Sequence, residues 1–258
     1  MHIVIRPSAE AAAFLAAEAI AQALRANPGI VLGLATGRTM ESVYARLVYL
    51  HLEENLDFSA CHTFNLDEYV GLSRLNRNSY RYYMHEHLFR HVNINLQNTH
   101  LPDGEATDLD AECLNYERLI AKCGGIDLQL LGIGQNGHLG FNEPQSPFHS
   151  RTRVETLSDA TISQNSPLFL RPGQMPKRAI TMGLGSIFDC RQCILIATGN
   201  QKAEIIFRTL EGPITNLIPA TILQKHRKCL IILDEIAAGL LKKNNHHESG
   251  QALQPISL

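Results

Sequence analysis

A histidine and a carboxylate delivered on one glycine-rich turn can move protons, and residues 130–144, LLGIGQNGHLGFNEP, carry both. The apolar run 128–133 breaks at Gly132, and Gly134, Gly137 and Gly140 follow. Glycine lets a backbone turn sharply off a strand end or come close to a ligand. Inside the turn stand Asn136, His138 and Glu143. Imidazole titrates near ~6.5, so His138 has the chemistry of an acid or a base around neutrality. The plainer alternative is a tight loop whose polar groups satisfy only their own backbone.

Three other short stretches carry chemistry. Thr36-Gly37-Arg38-Thr39 follows an apolar run and precedes a helical pattern. A small-residue turn opening a helix offers free N–H groups and the positive end of the helix dipole to an anion. The Gly-Lys-Ser/Thr ending of a nucleotide loop is missing, and so is the G-x-G-x-x-G of a dinucleotide fold. Asp67 and Glu68 stand side by side at the end of another run. Adjacent carboxylates point in different directions, so one can face a site while the other makes structural bonds. A carboxylate beside a substrate carbon can take a proton next to a carbonyl or imine. Lys202 opens a further helix after Thr198-Gly199-Asn200-Gln201 and can reach an anion as a point charge. Each feature alone has a bland reading: a cap, a solvated acidic pair, a first-turn lysine.

Stepping out to the whole chain, 258 residues with 45% hydrophobic and 19% charged residues make a globular protein with room for a large core. A net charge of −2 gives neither a nucleic-acid nor a membrane footprint. The N-terminal MHIVIRPS lacks the basic-then-apolar pattern of a signal peptide, and the alanine-rich segment after it carries Glu10, Glu18 and Gln22. The expected compartment is the cytoplasm. Six cysteines are too sparse for a disulfide framework. Cys190 and Cys193 form a single C-x-x-C without a second pair, so buried thiols are expected and no metal site.

Strands are predicted at 2–5, 30–35, 61–65, 98–101, 128–133, 178–182, 193–198 and 228–233, with 151–157 extended. Helices are predicted at 9–24, with Ser8 as the cap, and at 40–54, 79–89, 108–122, 202–210 and 220–225. The segment 145–176, with Pro167, Pro172 and Pro176, reads as a loop and the place to look for a lid. Strand and helix alternate without a break in composition. This predicts one α/β domain over 1–241, a single doubly wound, mostly parallel sheet with helices on both faces, and a polar tail over 242–258. In such a fold the loops above all follow strands, and ligands sit beyond strand C-termini.

Together these pieces resemble the glucosamine-6-phosphate deaminase (glucosamine-6-phosphate isomerase) family. The resemblance rests on GLATGRT at 33–39, TFNLDEYVGL at 63–72, SYRYYMHEHLF at 79–89, GIGQNGHLGFNEP at 132–144, SRTRVETL at 150–157, AITMGLGSIFD at 179–189 and GNQKA at 199–203. It implies a Rossmann-like domain that converts glucosamine 6-phosphate and water to fructose 6-phosphate and ammonia, with no cofactor and no catalytic metal. The implied partner is a small sugar phosphate, and monomer or homo-oligomer stays open. Asp67 matches the carboxylate that moves a proton between C2 and C1. His138 matches the histidine that opens the sugar ring, and Glu143 the carboxylate that sets that histidine's state, with Asn136 beside them. Thr36, Gly37, Arg38, Thr39, Gly137 and Lys202 match substrate- and phosphate-binding positions.

The chain departs from the family pattern at three places. Asn136 stands where many members carry Asp; it can orient the ring but brings no charge to an imidazolium. Pro167 follows Asn165-Ser166 where an arginine often binds phosphate, which leaves Arg38, and less directly Arg171, to replace it. Glu155 stands where members activated by N-acetylglucosamine 6-phosphate carry a basic residue, so weak or absent activation is expected. Galactosamine 6-phosphate remains an alternative substrate. A 6-phosphogluconolactonase-like hydrolase shares the fold, but Phe141-Asn142-Glu143-Pro144 is not the ending expected of one. A sugar-phosphate sensor would lack a reason to keep Asp67, His138 and Glu143 together.

Overall fold

Strands covered on both faces are mostly apolar, and the two central strands here, Val31–Leu34 and Leu128–Leu131, are buried throughout, with Gln129 as their one polar residue. A computed structural model describes residues 1–169 and 175–242. The elements run β1 (His2–Arg6), α1 (Ala9–Ala26), β2 (Val31–Leu34), α2 (Arg38–Glu54), β3 (His62–Asn65), β4 (Asp67–Tyr69), α3 (Tyr80–His87), β5 (Thr99–His100) and α4 (Leu109–Lys122). They continue with β6 (Leu128–Leu131), β7 (Arg153–Thr156), α5 (Asp159–Asn165), β8 (Arg178–Thr181), α6 (Leu184–Phe188), β9 (Gln192–Ala197), α7 (Ala203–Glu211) and β10 (Cys229–Asp234).

Seven strands form one parallel sheet in the order β1-β10-β9-β6-β2-β3-β5. The chain winds one way from β2 through β3 to β5 and the other way from β6 through β9 and β10. The reversal falls between β2 and β6, where a doubly wound sheet opens a crevice at its C-terminal edge. The main core joins both halves, from Leu15 and Ile20 on α1 through Leu32, Leu130 and Ile196 in the strands to Ile206 on α7. Ser8 caps α1 by accepting a hydrogen bond from the Ala11 N–H, as its sequence position implies.

The expectation of a single sheet needs one correction. Residues 178–182 form a strand, but it does not join the parallel sheet. It becomes the middle of a separate three-stranded antiparallel sheet, β4-β8-β7. Asp-Glu-Tyr at 67–69 reads as a loop because carboxylates are poor strand formers. Tertiary pairing of Asp67 with Thr181 and Tyr69 with Ala179 overrides that preference. A smaller apolar cluster of Tyr69, Leu72, Phe141, Leu157, Phe169, Met175 and Ala179 packs this sheet.

The segment expected as a loop after residue 157 holds α5, capped by Ser158, and a 3-10 turn at Ser166–Leu168. The short α6 was also not anticipated. The helix expected at 220–225 is a 3-10 helix, Pro219–Lys225. Among the described residues, no helix is long and apolar enough to cross a membrane. Apart from Lys242, the tail expected over 242–258 lies outside the described residues, as do Arg171 and Pro172.

Candidate active site

The loops after four parallel strands open onto one cavity of about 800 Å³. Residues 35–41 follow β2; Leu66 and Asp67 follow β3; Gly134 and His138 follow β6; Thr198 and Lys202 follow β9, and all line it. Asp67 and His138, far apart in sequence, thus share one cleft with the 36–39 turn.

The paired carboxylates divide their work as their adjacency implies. Glu68 points into the start of α3. It accepts hydrogen bonds from the Ser79 hydroxyl at 2.8 Å and from the Tyr80, Arg81 and Tyr69 N–H groups at 3.1, 3.0 and 2.9 Å. Burial raises its carboxyl above the usual range, and these donors pull it back. Asp67 faces the cavity over Gly140, whose φ of +58° suits glycine, and a β-carbon there would stand 3.1 Å from Asp67 Oδ2. Burial first, and the neighbouring Glu68 second, push the Asp67 carboxyl up to about 8. That holds the carboxyl largely in its acid form at neutrality.

His138 rests on Gly134: a β-carbon there would lie 2.2 Å from Cε1 of the ring. Only glycine fits beneath it. His138 Nδ1 is buried without a hydrogen-bond partner and stands 3.9 Å from Glu143 Oε2. Burial lowers the imidazole from its ordinary value; Glu143 opposes this and Lys202 adds to it. Asn136 uses both ends of its amide here. Its Nδ2 donates to Glu143 Oε2 at 2.8 Å, and its Oδ1 accepts from the His138 N–H at 3.2 Å. The other Glu143 oxygen accepts from the Ser158 and Thr161 hydroxyls of α5. Asn136 and Glu143 therefore stand behind His138, off the cavity wall.

At the other end of the cleft, α2 begins at Arg38 with Gly37 as its cap and no side-chain oxygen on its first N–H groups. The Met40 N–H closes on the Gly37 carbonyl at 2.9 Å, and among the described residues the Arg38 and Thr39 N–H groups have no partner and can meet an anion. Thr39 lies inside the helix and does not cap it. The Tyr83 hydroxyl donates to the Gly37 carbonyl at 2.9 Å and ties the turn to α3. Lys202 Nζ donates to the Ile133 carbonyl at 2.6 Å, and burial lowers its pKa. Arg38 lines the cavity and is exposed, as is Arg77, which sequence reading did not single out. Arg77 sits in the polar stretch SRLNRNS, and nothing in its spacing distinguishes it from Arg74. Tyr80 and Tyr83 of α3 were likewise missed as wall residues, because their motif reads as a packed helix.

Gly137 falls differently from the other binding candidates. A β-carbon there would meet Ile218 Cγ2 at 2.5 Å, and its carbonyl accepts from the Ala220 N–H at 2.9 Å. It packs the turn against the 219–225 segment and is not among the residues lining the cavity. Glu155 pairs with Arg153 at 2.7 Å, and Arg153 donates to Asn142 Oδ1 at 2.9 Å. Asn165 donates to the Tyr69 hydroxyl at 3.2 Å, which places the Asn-Ser-Pro segment beside the cleft.

A doubly wound sheet with a helix N-terminus at one strand end, and a buried carboxyl and a carboxylate-backed histidine at others, all around one cleft, has the form of a small-molecule enzyme site. The family model described as glucosamine-6-phosphate isomerases/6-phosphogluconolactonase matches residues 6–232, and the chain belongs to that family. It is 45% identical over 241 residues to a glucosamine-6-phosphate deaminase of Thermoanaerobacter sp. (strain X514), covering 93% of this chain and 95% of that one. A glucosamine-6-phosphate deaminase of Cellvibrio japonicus is 46% identical, over 93% of this chain and 92% of the relative. Among solved structures, a monomeric glucosamine-6-phosphate deaminase superposes with a TM-score of 0.91 at 42% identity, covering 93% of this chain and all of that one. A 6-phosphogluconolactonase from Trypanosoma cruzi superposes with a TM-score of 0.75 at 20% identity over 93% of this chain and 96% of its own, a likeness of fold.

Two stability measurements follow from the carboxylates. Because Asp67 is neutral in the folded protein up to about 8, ionising it disfavours folding between the ordinary carboxylate value of ~4 and that pH. Asp67→Asn is therefore expected to be more stable than the parent above pH 8, with the gain shrinking as pH falls toward ~4. Equal urea midpoints at high pH would contradict this. Glu68→Gln turns an amide N–H toward donors that need an acceptor, and should cost ~2 kcal/mol by urea unfolding; an unchanged midpoint would remove Glu68 as the anchor of α3.

Proposed function

We propose that this protein converts glucosamine 6-phosphate and water to fructose 6-phosphate and ammonia. The observation that carries the reading is the common cleft of Asp67, His138, the 36–39 turn and Lys202. The similarity to deaminases along nearly the whole chain supports the choice of substrate.

In this reading the phosphate docks on the free N–H groups at the start of α2, with Lys202 and the Arg38 and Arg77 guanidiniums around it. Holding that remote group fixes the sugar in register for the chemistry at C1 and C2. His138, kept neutral by burial, takes the proton from the C1 hydroxyl and returns it to the ring oxygen, which opens the ring. Glu143, held by Asn136, Ser158 and Thr161, stabilises the imidazolium that forms in passing. The open aldehyde then presents an acidic proton at C2.

Asp67 removes that proton as its carboxylate. The substrate's C2 ammonium, brought beside it, favours the ionised form that burial disfavours in the free protein. The C2–H electron pair forms a C1–C2 double bond while the C1 carbonyl pair moves onto O1, which takes a proton from the C2 ammonium, and an enolamine results. Asp67 then delivers the proton to C1, and the nitrogen becomes a ketimine at C2. Water adds to the ketimine, and ammonia leaves with the C2 carbonyl formed. Arg153, which bonds Asn142, is already paired with Glu155, and this supports weak or absent activation by N-acetylglucosamine 6-phosphate.

The direct test is ammonia release from glucosamine 6-phosphate and galactosamine 6-phosphate side by side. Faster turnover of the glucosamine sugar is expected; release from neither would end the reading. Asp67→Asn should lose on the order of 10²-fold or more in kcat, the range for a general base, and full turnover would refute its role. Arg38→Ala should raise KM roughly tenfold or more with kcat nearly kept, as for lost uniform binding. If KM rises only in Arg77→Ala, the phosphate cation is Arg77.

A further inference from the structure

Away from the cleft, three soft ligands converge from three elements. His62 opens β3, His100 closes β5, and Cys123 caps the C-terminus of α4. The two imidazoles stack at 5.8 Å between centroids with planes 13° apart. His62 Nδ1 lies 3.5 Å from His100 Nε2 and 3.9 Å from Cys123 Sγ. The three donor atoms all fall within 4.8 Å of one another, and all three residues are half-buried. Among the described residues, those two nitrogens have no hydrogen-bond partners outside this trio.

We propose that His62, His100 and Cys123 form a binding site for a divalent transition metal of the zinc class. Zinc bonds of ~2.0–2.1 Å to nitrogen and ~2.3 Å to sulfur set tetrahedral edges of roughly 3.3 Å between nitrogens and 3.6 Å between nitrogen and sulfur. The two spacings above exceed these by a few tenths of an ångström, the third edge lies under 4.8 Å, and rotation of the two rings about their side-chain bonds would turn all three donors onto one ion. Metal binding requires both facing nitrogens to be unprotonated, and the Cys123 thiol would bind as thiolate. That thiolate leaves the bound ion at a net single positive charge, which moderates repulsion from nearby Arg81 and Lys122. Half-burial leaves the fourth position to water. The ion would clip the end of α4 to the two-residue edge strand β5.

A second cluster, Cys190, Cys193 and His226, is fully buried. There the histidine is already used: Nε2 lies 2.9 Å from the Cys190 carbonyl oxygen, and Nδ1 accepts from the Lys228 N–H at 3.3 Å. Metal at Nε2, the nitrogen that faces Cys190 Sγ at 3.7 Å, would have to displace the bond to the Cys190 carbonyl, so the open trio is the better site.

Cobalt(II) titration of the full, chelator-treated chain tests this. One equivalent should bind with a thiolate-to-cobalt charge-transfer band and tetrahedral d–d bands, and zinc should displace it. Cys123→Ser should abolish the charge-transfer band, and His100→Asn should weaken binding by more than the ~10–100-fold cost of losing an outer partner. Cys190→Ser should leave both unchanged. No stoichiometric binding, a band that survives Cys123→Ser, or a band lost in Cys190→Ser would each overturn the assignment. Circular dichroism of each variant confirms that the fold is kept.

Discussion

The site depends on how Glu68 is satisfied. Its carboxylate takes donors from Ser79, Tyr80 and Arg81 at the start of α3 and from Tyr69 beside it. That leaves Asp67, the next residue along, as the carboxyl that faces the cleft. Among the described residues Asp67 receives no compensating donor, and burial and Glu68 hold it as an acid. Losing the Glu68 carboxylate would break three hydrogen bonds that tie β4 to the start of α3 and loosen the strand that carries Asp67 over Gly140.

The same economy governs His138. Its ring lies on Gly134, so backbone replaces a side-chain floor. Behind it, Asn136 bridges the His138 N–H and Glu143. An aspartate at 136 would set a second carboxylate against Glu143, whereas the amide donates to it. The hydroxyls of α5 complete this support, which makes α5 part of the site's frame and not a bare loop.

The parallel sheet and its helices were legible because continuous apolar runs alternate with capped amphipathic segments. The meeting of Asp67, His138, residues 36–39 and Lys202 in one cleft was legible because they sit on strand-end loops, whereas the roles expected of them came from the family resemblance. What escaped was local pattern overruled by tertiary pairing. Asp67-Glu68-Tyr69 looks like a loop until β8 pairs with it. α5 hides among prolines and serines, and Gly137 shares a motif with His138 yet faces Ile218. Arg77 lies in a polar stretch whose place on the cavity wall only the fold reveals. Cys123, His62 and His100 carry no spacing signal, since three separate elements bring them together.

The central claim is that Asp67 rests as a protonated acid in the free protein and becomes a base only when the cationic substrate arrives. Infrared difference spectroscopy of the parent against Asp67→Asn reads this carboxyl directly. A protonated carboxyl band at neutral pH is expected, titrating away near pH 8 and vanishing when an amino-sugar phosphate binds. An Asp67 carboxylate already ionised at pH 6 in the free protein would contradict the account.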